Sequence, residues 1–240
     1  MKYLDMLTHL GIGSAHPGGF AFTLKMLDTI PLQPGSSILE VGCGTGRTAC
    51  LLAQKGFQVY AVDLRPGMIE KAKKRSELQQ VKVDFAVGDI CRLPFGDNQF
   101  DLVLAESVTN FADASAAVSE YYRVLKPGGM LYDSEVIRLH DVTGGIKDEL
   151  VEFLGIAQLL SAEEWGAILE AQGFTDIRLS VSPMEELSAQ DDLNHPDEHQ
   201  IVSEGAYIDA SVWHTSLTYT DMMDQSRDFL GSAVLVGSKG

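Results

Sequence analysis

The run Glu40-Val41-Gly42-Cys43-Gly44-Thr45-Gly46 is the first place where this sequence could do chemistry. It follows an apolar stretch and opens a helical one. Glycine lets backbone approach a ligand with no Cβ in the way, and a helix N-terminus adds unpaired N–H groups at the same spot. Asp63 and Gly88-Asp89-Ile90 close the next two apolar stretches. An acid at Asp89 can accept from an adenine amino group, and Ile90 can pack on the ring. Two cofactors fit such a turn. Gly44-x-Gly46-x-x-Ala49, with Asp63 about 20 residues on, satisfies the dinucleotide pattern expected for NAD. Glu40 fits that cofactor badly, because a carboxylate repels a pyrophosphate and suits an ammonium group. S-adenosylmethionine carries an ammonium and a sulfonium and no phosphate.

The elements that must position these residues alternate. Strands are expected over 38–41, 58–62, 81–87, 101–105 and 130–136. Helices are expected after the glycine turn to residue 55, over 67–79 and over 114–125, where Lys126-Pro127-Gly128-Gly129 stops the last of them. This alternation implies right-handed crossovers and a mostly parallel α/β sheet, with ligands at the carboxyl ends of its strands. Residues 3–10 and 20–30 read as two helices ahead of the sheet, the second with Phe20, Leu24 and Leu27 on one side, joined through His16-Pro17-Gly18-Gly19. Beyond residue 145 the pattern changes. A helix over 161–172 carries a capping box, Ser161 with Glu164. A strand over 174–181, a polar acidic stretch over 182–199 and a last strand over 230–236 follow.

Composition narrows the partners. The 240 residues carry 34 acids against 18 bases, a formal net charge of −16. Such a surface repels phosphate backbones, so no nucleic-acid partner is expected. No apolar run is long enough to cross a bilayer and no leader pattern opens the chain, so a cytoplasmic protein with no membrane partner is expected. The basic triplet Lys73-Lys74-Arg75 reads as the end of a helix, where positive charge suits the dipole. Cys43, Cys50 and Cys91 are too few and too irregular for a disulfide framework or zinc site, and no metal is expected.

Residues 36–136 resemble the class I S-adenosylmethionine-dependent methyltransferases, nearest the small-molecule branch that includes ubiquinone and menaquinone biosynthesis methyltransferases. The resemblance rests on residues 38–46, 61–72 (Ala-Val-Asp-Leu-Arg-Pro-Gly-Met-Ile-Glu-Lys-Ala), 88–95 (Gly-Asp-Ile-Cys-Arg-Leu-Pro-Phe), 100–103 and 123–129, in that order. It implies a doubly wound Rossmann-like seven-stranded sheet, order 3-2-1-4-5-7-6 with the last strand antiparallel. The whole chain is then one domain, with an N-terminal helical cap over 1–34, a cofactor-binding core over 35–136 and a C-terminal part over 137–240. An insertion over about 182–226 precedes the last strand. It also implies S-adenosyl-L-methionine as cofactor and methyl transfer to a small molecule. Asp63 would hold the ribose hydroxyls, and Leu64 and Met68 would flank the adenine. Asp89 and Ile90 would bind the adenine, and Gly42, Cys43, Gly44 and Gly46 would form the turn. Glu40 would neutralise the methionyl ammonium, with the Ala105 carbonyl as a second acceptor.

A hydroxyl or acidic carbon acceptor needs a base. His16, His140 and Glu106 are the candidates in that order, with Glu135 and Tyr3 behind them; histidine titrates near neutrality. The His16-Pro17-Gly18-Gly19 turn reads equally as a lid hinge or a plain connection. The insertion reads as a substrate lid or a dimer arm, which makes a homodimer an expectation, and Tyr207, Trp213, His214 and Tyr219 could line an acceptor pocket. Two other functions remain open: an NAD-dependent oxidoreductase, and a non-catalytic cofactor-binding regulator.

Overall fold

The computed structural model describes residues 1–142, 145–184 and 194–240. Seven strands form one sheet: β1 (Ser37–Val41), β2 (Gln58–Asp63), β3 (Asp84–Val87), β4 (Phe100–Glu106), β5 (Leu125–Arg138), β6 (Phe174–Pro183) and β7 (Leu230–Lys239). Their order is β3-β2-β1-β4-β5-β7-β6, with β7 antiparallel to both neighbours. The helices among the described residues are α1 (Tyr3–Leu10), α2 (Gly19–Leu27), α3 (Arg47–Gln54), α4 (Pro66–Leu78), α5 (Ala114–Val124), α6 (Gly145–Leu154), α7 (Ala162–Ala171) and α8 (Ala210–Ser226).

The central strands are apolar on both faces because both are covered, as parallel sheets require. Ile38, Leu102 and Leu104 pack on one side with Ala49 and Leu52 of α3 and Ile69 of α4. Leu39, Val103 and Ala105 alternate to the other side, against Val118 and Tyr121 of α5 and Trp165 of α7. Register then aligns the strand ends. Val41 pairs with both Val62 and Ala105, and Asp63 pairs with Val87. The residues that follow, Gly42, Leu64, Gly88 and Glu106, therefore share the carboxyl edge. A third apolar cluster caps that edge, drawing Tyr3 and Met6 of α1, Leu150 of α6, Val212 of α8, Phe229 and Leu230 together.

Several boundaries and faces depart from the sequence expectations. Lys126-Pro127-Gly128-Gly129 lies within β5 rather than outside it. The third strand is shorter, because Val81 instead closes the end of α4 by donating to the Ser76 carbonyl. The buried residues of α2 are Gly19, Thr23 and Met26; Phe20 turns away to lie under the Arg47 guanidinium, 3.8 Å from ring centroid to Cζ. The polar insertion holds the 17-residue α8, whose N-cap Asp209 accepts from the Ser211 N–H. The expected capping box at α7 is formed as written, in both directions. Residues 185–193, half of the acidic stretch, lie outside the described residues. Of the rest of that stretch, Asp197 pairs with Arg75. No helix of the described residues is long and apolar enough to cross a membrane.

Candidate active site

Two cavities lie over the carboxyl edge of the sheet. The first, of about 220 Å³, is walled by the glycine turn, the ends of β2 and β4, Asp89 and Ile90, and is roofed by α1 and residues 12–16. The second, of about 470 Å³, lies between α1, α6, α8 and β5. Tyr3, Ala15, His16, Ser107 and Phe111 line both, so the two share a wall.

The glycines serve distinct ends. Gly42, at φ +63°, passes so close to Val108 that a Cβ would lie 2.3 Å from its Cγ2. Gly44, at φ +51°, faces open space on the cavity wall, so the backbone there is bare to a ligand. Gly46 is not on the wall. A Cβ there would meet Ala72 at 2.9 Å and Phe85, so this glycine admits close helix packing instead.

Asp63 ends β2 with each carboxylate oxygen holding one backbone donor: Oδ2 accepts from Gly44 N–H at 2.9 Å and Oδ1 from Arg65 N–H at 2.8 Å. Burial pushes its carboxyl up, and those two N–H groups only partly offset it. Each oxygen keeps a further lone pair, and Asp63 lines the cavity. Asp89 is exposed, its Oδ1 accepting from Cys91 N–H. Ile90 and Met68 are buried on the same wall. Leu64 lines it at 68 % exposure, an apolar side chain that a bound ring would cover. Cys43 is a buried thiol in the turn, and Cys50 is a buried residue of α3.

Glu40 is 5 % exposed, and its Oε2 is buried with no partner among the described residues. Burial, then the charges of Glu106 and Asp63, hold its carboxyl well above the usual range. The folded chain therefore binds a proton there that the unfolded chain releases near the ordinary carboxylate pKa. The stability this contributes is complete below that pKa and is lost as pH rises toward the folded value. Glu40→Gln should remove this slope and raise the ligand-free Tm at neutral pH by about 2–4 °C, the shift worth roughly 1 kcal/mol in a chain of this size. Thermal unfolding across pH checks it; an unaltered slope would refute the assignment.

The candidate bases separate. His16 is buried at the junction of the two cavities, its Nε2 3.2 Å from Thr23 Oγ1 and 3.5 Å from Glu106 Oε1. Glu106 stands beside it, but Thr23 donates to its Oε1 at 2.6 Å and Thr48 to its Oε2 at 2.9 Å. Both its oxygens are thus held as acceptors, with His16 at its side. His140 is removed from the site. It is exposed and lines neither cavity, its ring nitrogens lying against the carbonyls of Asp141 and Asp228, because β5 runs on past Glu135 and carries residue 140 beyond the cap. Ala105 is also off the wall, wholly buried between β1 and β5; the chain reaches the cavity one residue later. Of the aromatic residues of the insertion, Tyr219 alone lines the second cavity, stacked on Tyr3 at 5.0 Å between centroids. Tyr207 and Trp213 are exposed on the far side, where the indole N–H donates to the Tyr207 carbonyl, and His214 is exposed beside them.

Two features had no counterpart in the sequence reading. Asn110 closes the floor of the second cavity, beside Glu135, which the sequence offered only as a base candidate. Lys71 and Arg75 of α4 hold a strap over 195–203 that in turn holds α1: Lys71 Nζ donates to Ile201 O, and Ser203 N–H donates to His9 O at 2.8 Å. Their signal was present, since Lys71 and Arg75 fall on the Met68–Ala72 stripe of α4 rather than on its solvent face.

The wall chemistry discriminates between the two cofactors. Glu40, Asp63, Asp89 and Glu106 line the first cavity, with Arg65 and His16 as the basic residues there. Arg65 is engaged by Asp5 and Thr8 of α1. A pyrophosphate would meet a wall with more acids than bases, whereas an ammonium and a sulfonium would meet compensation. Comparison with known proteins agrees. Residues 39–133 match a family model described as a methyltransferase domain. An uncharacterized methyltransferase of Bacillus subtilis (strain 168), YodH, is 32% identical over 239 residues, covering 99% of each chain. The chain belongs to the class I S-adenosylmethionine-dependent methyltransferases.

Within that family, a demethylmenaquinone methyltransferase of Renibacterium salmoninarum is 34% identical over 130 residues, 54% of this chain and 52% of that one. The phosphoethanolamine N-methyltransferase 2 of Haemonchus contortus, solved with S-adenosyl-L-methionine, superposes at a TM-score of 0.76 and 25% identity. That match covers 98% of this methyltransferase, which spans 57% of that enzyme's length. The cofactor is S-adenosylmethionine, and the buried, unpartnered Glu40 oxygen, the bare backbone at Gly44 and the exposed Leu64 fit it.

Proposed function

We propose that this methyltransferase transfers its methyl group to a small molecule held in the cavity of about 470 Å³. The observation that carries the reading is the shared wall: Tyr3, His16, Ser107 and Phe111 face both that cavity and the cofactor cleft. S-adenosylmethionine supplies a methyl group already activated on a sulfonium. The protein's part is to hold, orient and keep dry. In this reading Asp63 accepts from the ribose hydroxyls, and Asp89 from the adenine amino group. Leu64, Met68 and Ile90 enclose the ring. Glu40 neutralises the ammonium, and the backbone from Gly42 to Gly44 lies along the ligand. The end of β4 at Glu106 faces the same end of the cleft.

His16 is the base in this reading. Thr23 has one hydroxyl proton and gives it to Glu106, so the His16 nitrogen facing that hydroxyl, Nε2, carries a proton and donates. Nδ1 lies 3.3 Å from the Pro17 carbonyl, and Glu106, 3.5 Å from Nε2, balances the charge when the ring takes a second proton. The acceptor cavity mixes Phe111, Val136, Leu154 and Ile156 with Asn110, Asp224 and Arg227, which suits an amphipathic molecule.

Incubation with labelled S-adenosylmethionine and a metabolite extract, read by mass spectrometry, identifies what gains the methyl. Leu154→Trp, which narrows the second cavity, should sharply reduce that labelling while S-adenosylhomocysteine still binds in calorimetry. Labelling undiminished by the substitution would move the acceptor elsewhere, and binding of NAD in place of S-adenosylhomocysteine would overturn the reading.

A further inference from the structure

Beneath the wall common to both cavities lies a buried acid pair that the proposed transfer chemistry does not use. Asp133 and Glu135 stand two apart on β5, so both side chains leave the same face of the strand. Both are wholly buried. Glu135 Oε1 accepts from the N–H groups of Val108 and Thr109 at 2.8 and 2.7 Å. Asp133 Oδ2 accepts from Thr109 Oγ1 at 2.8 Å, and that hydroxyl lies 3.1 Å from the Tyr121 hydroxyl. The protons of this network are then spent: Thr109 gives its proton to Asp133, and Tyr121 gives its own to Thr109. Asp133 Oδ1 and Glu135 Oε2 remain, both buried and both without a donor among the described residues. One residue brings the two carboxyl groups together on that face: Thr109 donates its N–H to Glu135 and its hydroxyl to Asp133. Two bare carboxylates in that position would repel in a dry interior, and each would carry an orphaned oxygen.

We propose that Asp133 and Glu135 hold one proton between them, Glu135 Oε2–H donating to Asp133 Oδ1, and that this shared proton positions the 107–112 segment walling both cavities. The segment is held at its backbone by Glu135 and at its Thr109 side chain by Asp133. It contributes Ser107, Val108, Phe111 and Ala112 to the cofactor cleft and Ser107, Asn110 and Phe111 to the acceptor cavity. Asp133 and Glu135 are thus positioning residues, and the inference rests on the reading that these cavities hold cofactor and acceptor. It also explains why Glu135, on the cavity floor, is not the base: its free oxygen already carries a proton.

The surroundings favour protonation. Burial, then the charge of Asp133, holds Glu135 well above the carboxylate range, and burial lifts Asp133 as well. The titratable group facing the pair from α5 is Tyr121, kept neutral by burial and by Asp133, with Cys91 beyond it. The neighbouring strands offer no charge, since Ala105 and Leu235 flank Asp133 and Ala233 faces Glu135. From the cavity side Tyr3, His16, Tyr219, Asp224 and Arg227 share the wall with Glu135.

The test uses the full chain and two readouts. Infrared difference spectra between wild type and Glu135→Gln at neutral pH should show a buried protonated-carboxyl band in the wild type that the variant lacks. Calorimetry with S-adenosylhomocysteine should show wild-type affinity falling at least tenfold from neutral to alkaline pH as the pair loses its proton. In Glu135→Gln the amide donates to Asp133 permanently, so affinity should stay flat over the same range. Asp133→Asn, which restores a donor from the other side, should behave alike and serves if the first variant does not fold. No protonated-carboxyl difference, or the same pH dependence in wild type and both variants, would overturn the proposal. If no form binds S-adenosylhomocysteine at any pH, the cofactor reading has failed, and the infrared band alone still decides the shared proton.

Discussion

Asp63→Ala should weaken S-adenosylhomocysteine binding by about 100-fold or more in calorimetry, with the fold intact by circular dichroism. The magnitude follows from the hydrogen-bond inventory. Under the proposed assignment the carboxylate accepts two charge-assisted bonds from the ribose, each worth about 1.5–3 kcal/mol, so their joint loss amounts to roughly two decades or more of affinity. The same carboxylate receives the Gly44 and Arg65 N–H groups, so the alanine variant also loosens the glycine turn that faces the ligand. Asp63→Asn separates the two contributions. Its amide oxygen keeps one acceptor, but its NH₂ cannot accept from the other backbone N–H or from a hydroxyl, and an intermediate loss is expected. Wild-type affinity in Asp63→Ala would mean that the nucleoside does not lie against β2, and the assignment of the cleft would fall with it.

How far the sequence discloses the site depends on the range of the interactions that build it. Gly42, Gly44, Asp63 and Asp89 were legible because each stands at the end of a strand, and strand ends of a parallel sheet meet on one edge by register. His140 and Ala105 do not line the cavities, because that same logic was applied one step too loosely. The carboxyl end of β5 lies at Arg138, not at Val136, and the cavity begins at Glu106 rather than Ala105. Gly46 matched a motif position but answers to packing against Ala72 and Phe85, which no local pattern reveals. Helix α8 was missed because Trp213 and Leu217 are exposed while Thr215 and Ser226 are buried, so its inner stripe of Val212, Tyr219 and Met223 is blurred. The Asp133–Glu135 pair was invisible for a related reason: alternation on β5 marks both residues as one-faced, but only the fold shows Thr109 and Tyr121 filling the space above them.

The strap supplies the other large effect. Arg75 is 1 % exposed, and its guanidinium grips Asp197 with two parallel hydrogen bonds of 2.6 Å while Nε donates to the Thr45 carbonyl at 2.9 Å. One side chain therefore ties the glycine turn to the strap, and the strap ties α1, the roof of the cofactor cleft, through Gln200 to Leu10 and Ser203 to His9. Removing one partner of a buried pair strands the other, at a cost of about 3–5 kcal/mol. Asp197 keeps some contact with water, at 11 % side-chain exposure, and Arg47 stands near, so Arg75→Met should cost about 3 kcal/mol in denaturant unfolding, the low end of that range. The sign of its pH dependence is fixed. Burial pushes the Asp197 carboxyl up, but the hydrogen bonds and charge of Arg75 bring it below the ordinary value. The pair's stabilisation is therefore present above the unfolded carboxylate pKa and lost as pH falls through the folded one. Arg75→Met should lose most at neutral pH and converge on wild type in acid. Arg75→Met combined with Asp197→Leu should recover part of the loss, since no charge is then stranded, and the cycle measures the coupling. The variant should also bind S-adenosylhomocysteine more weakly and be cleaved faster by protease within 195–203, because the roof is held at one remove by the same guanidinium. A loss below about 0.5 kcal/mol, the scale of an ordinary surface substitution, would reduce Arg75 to a solvated helix-end charge, as its place in the Lys73-Lys74-Arg75 triplet first suggests.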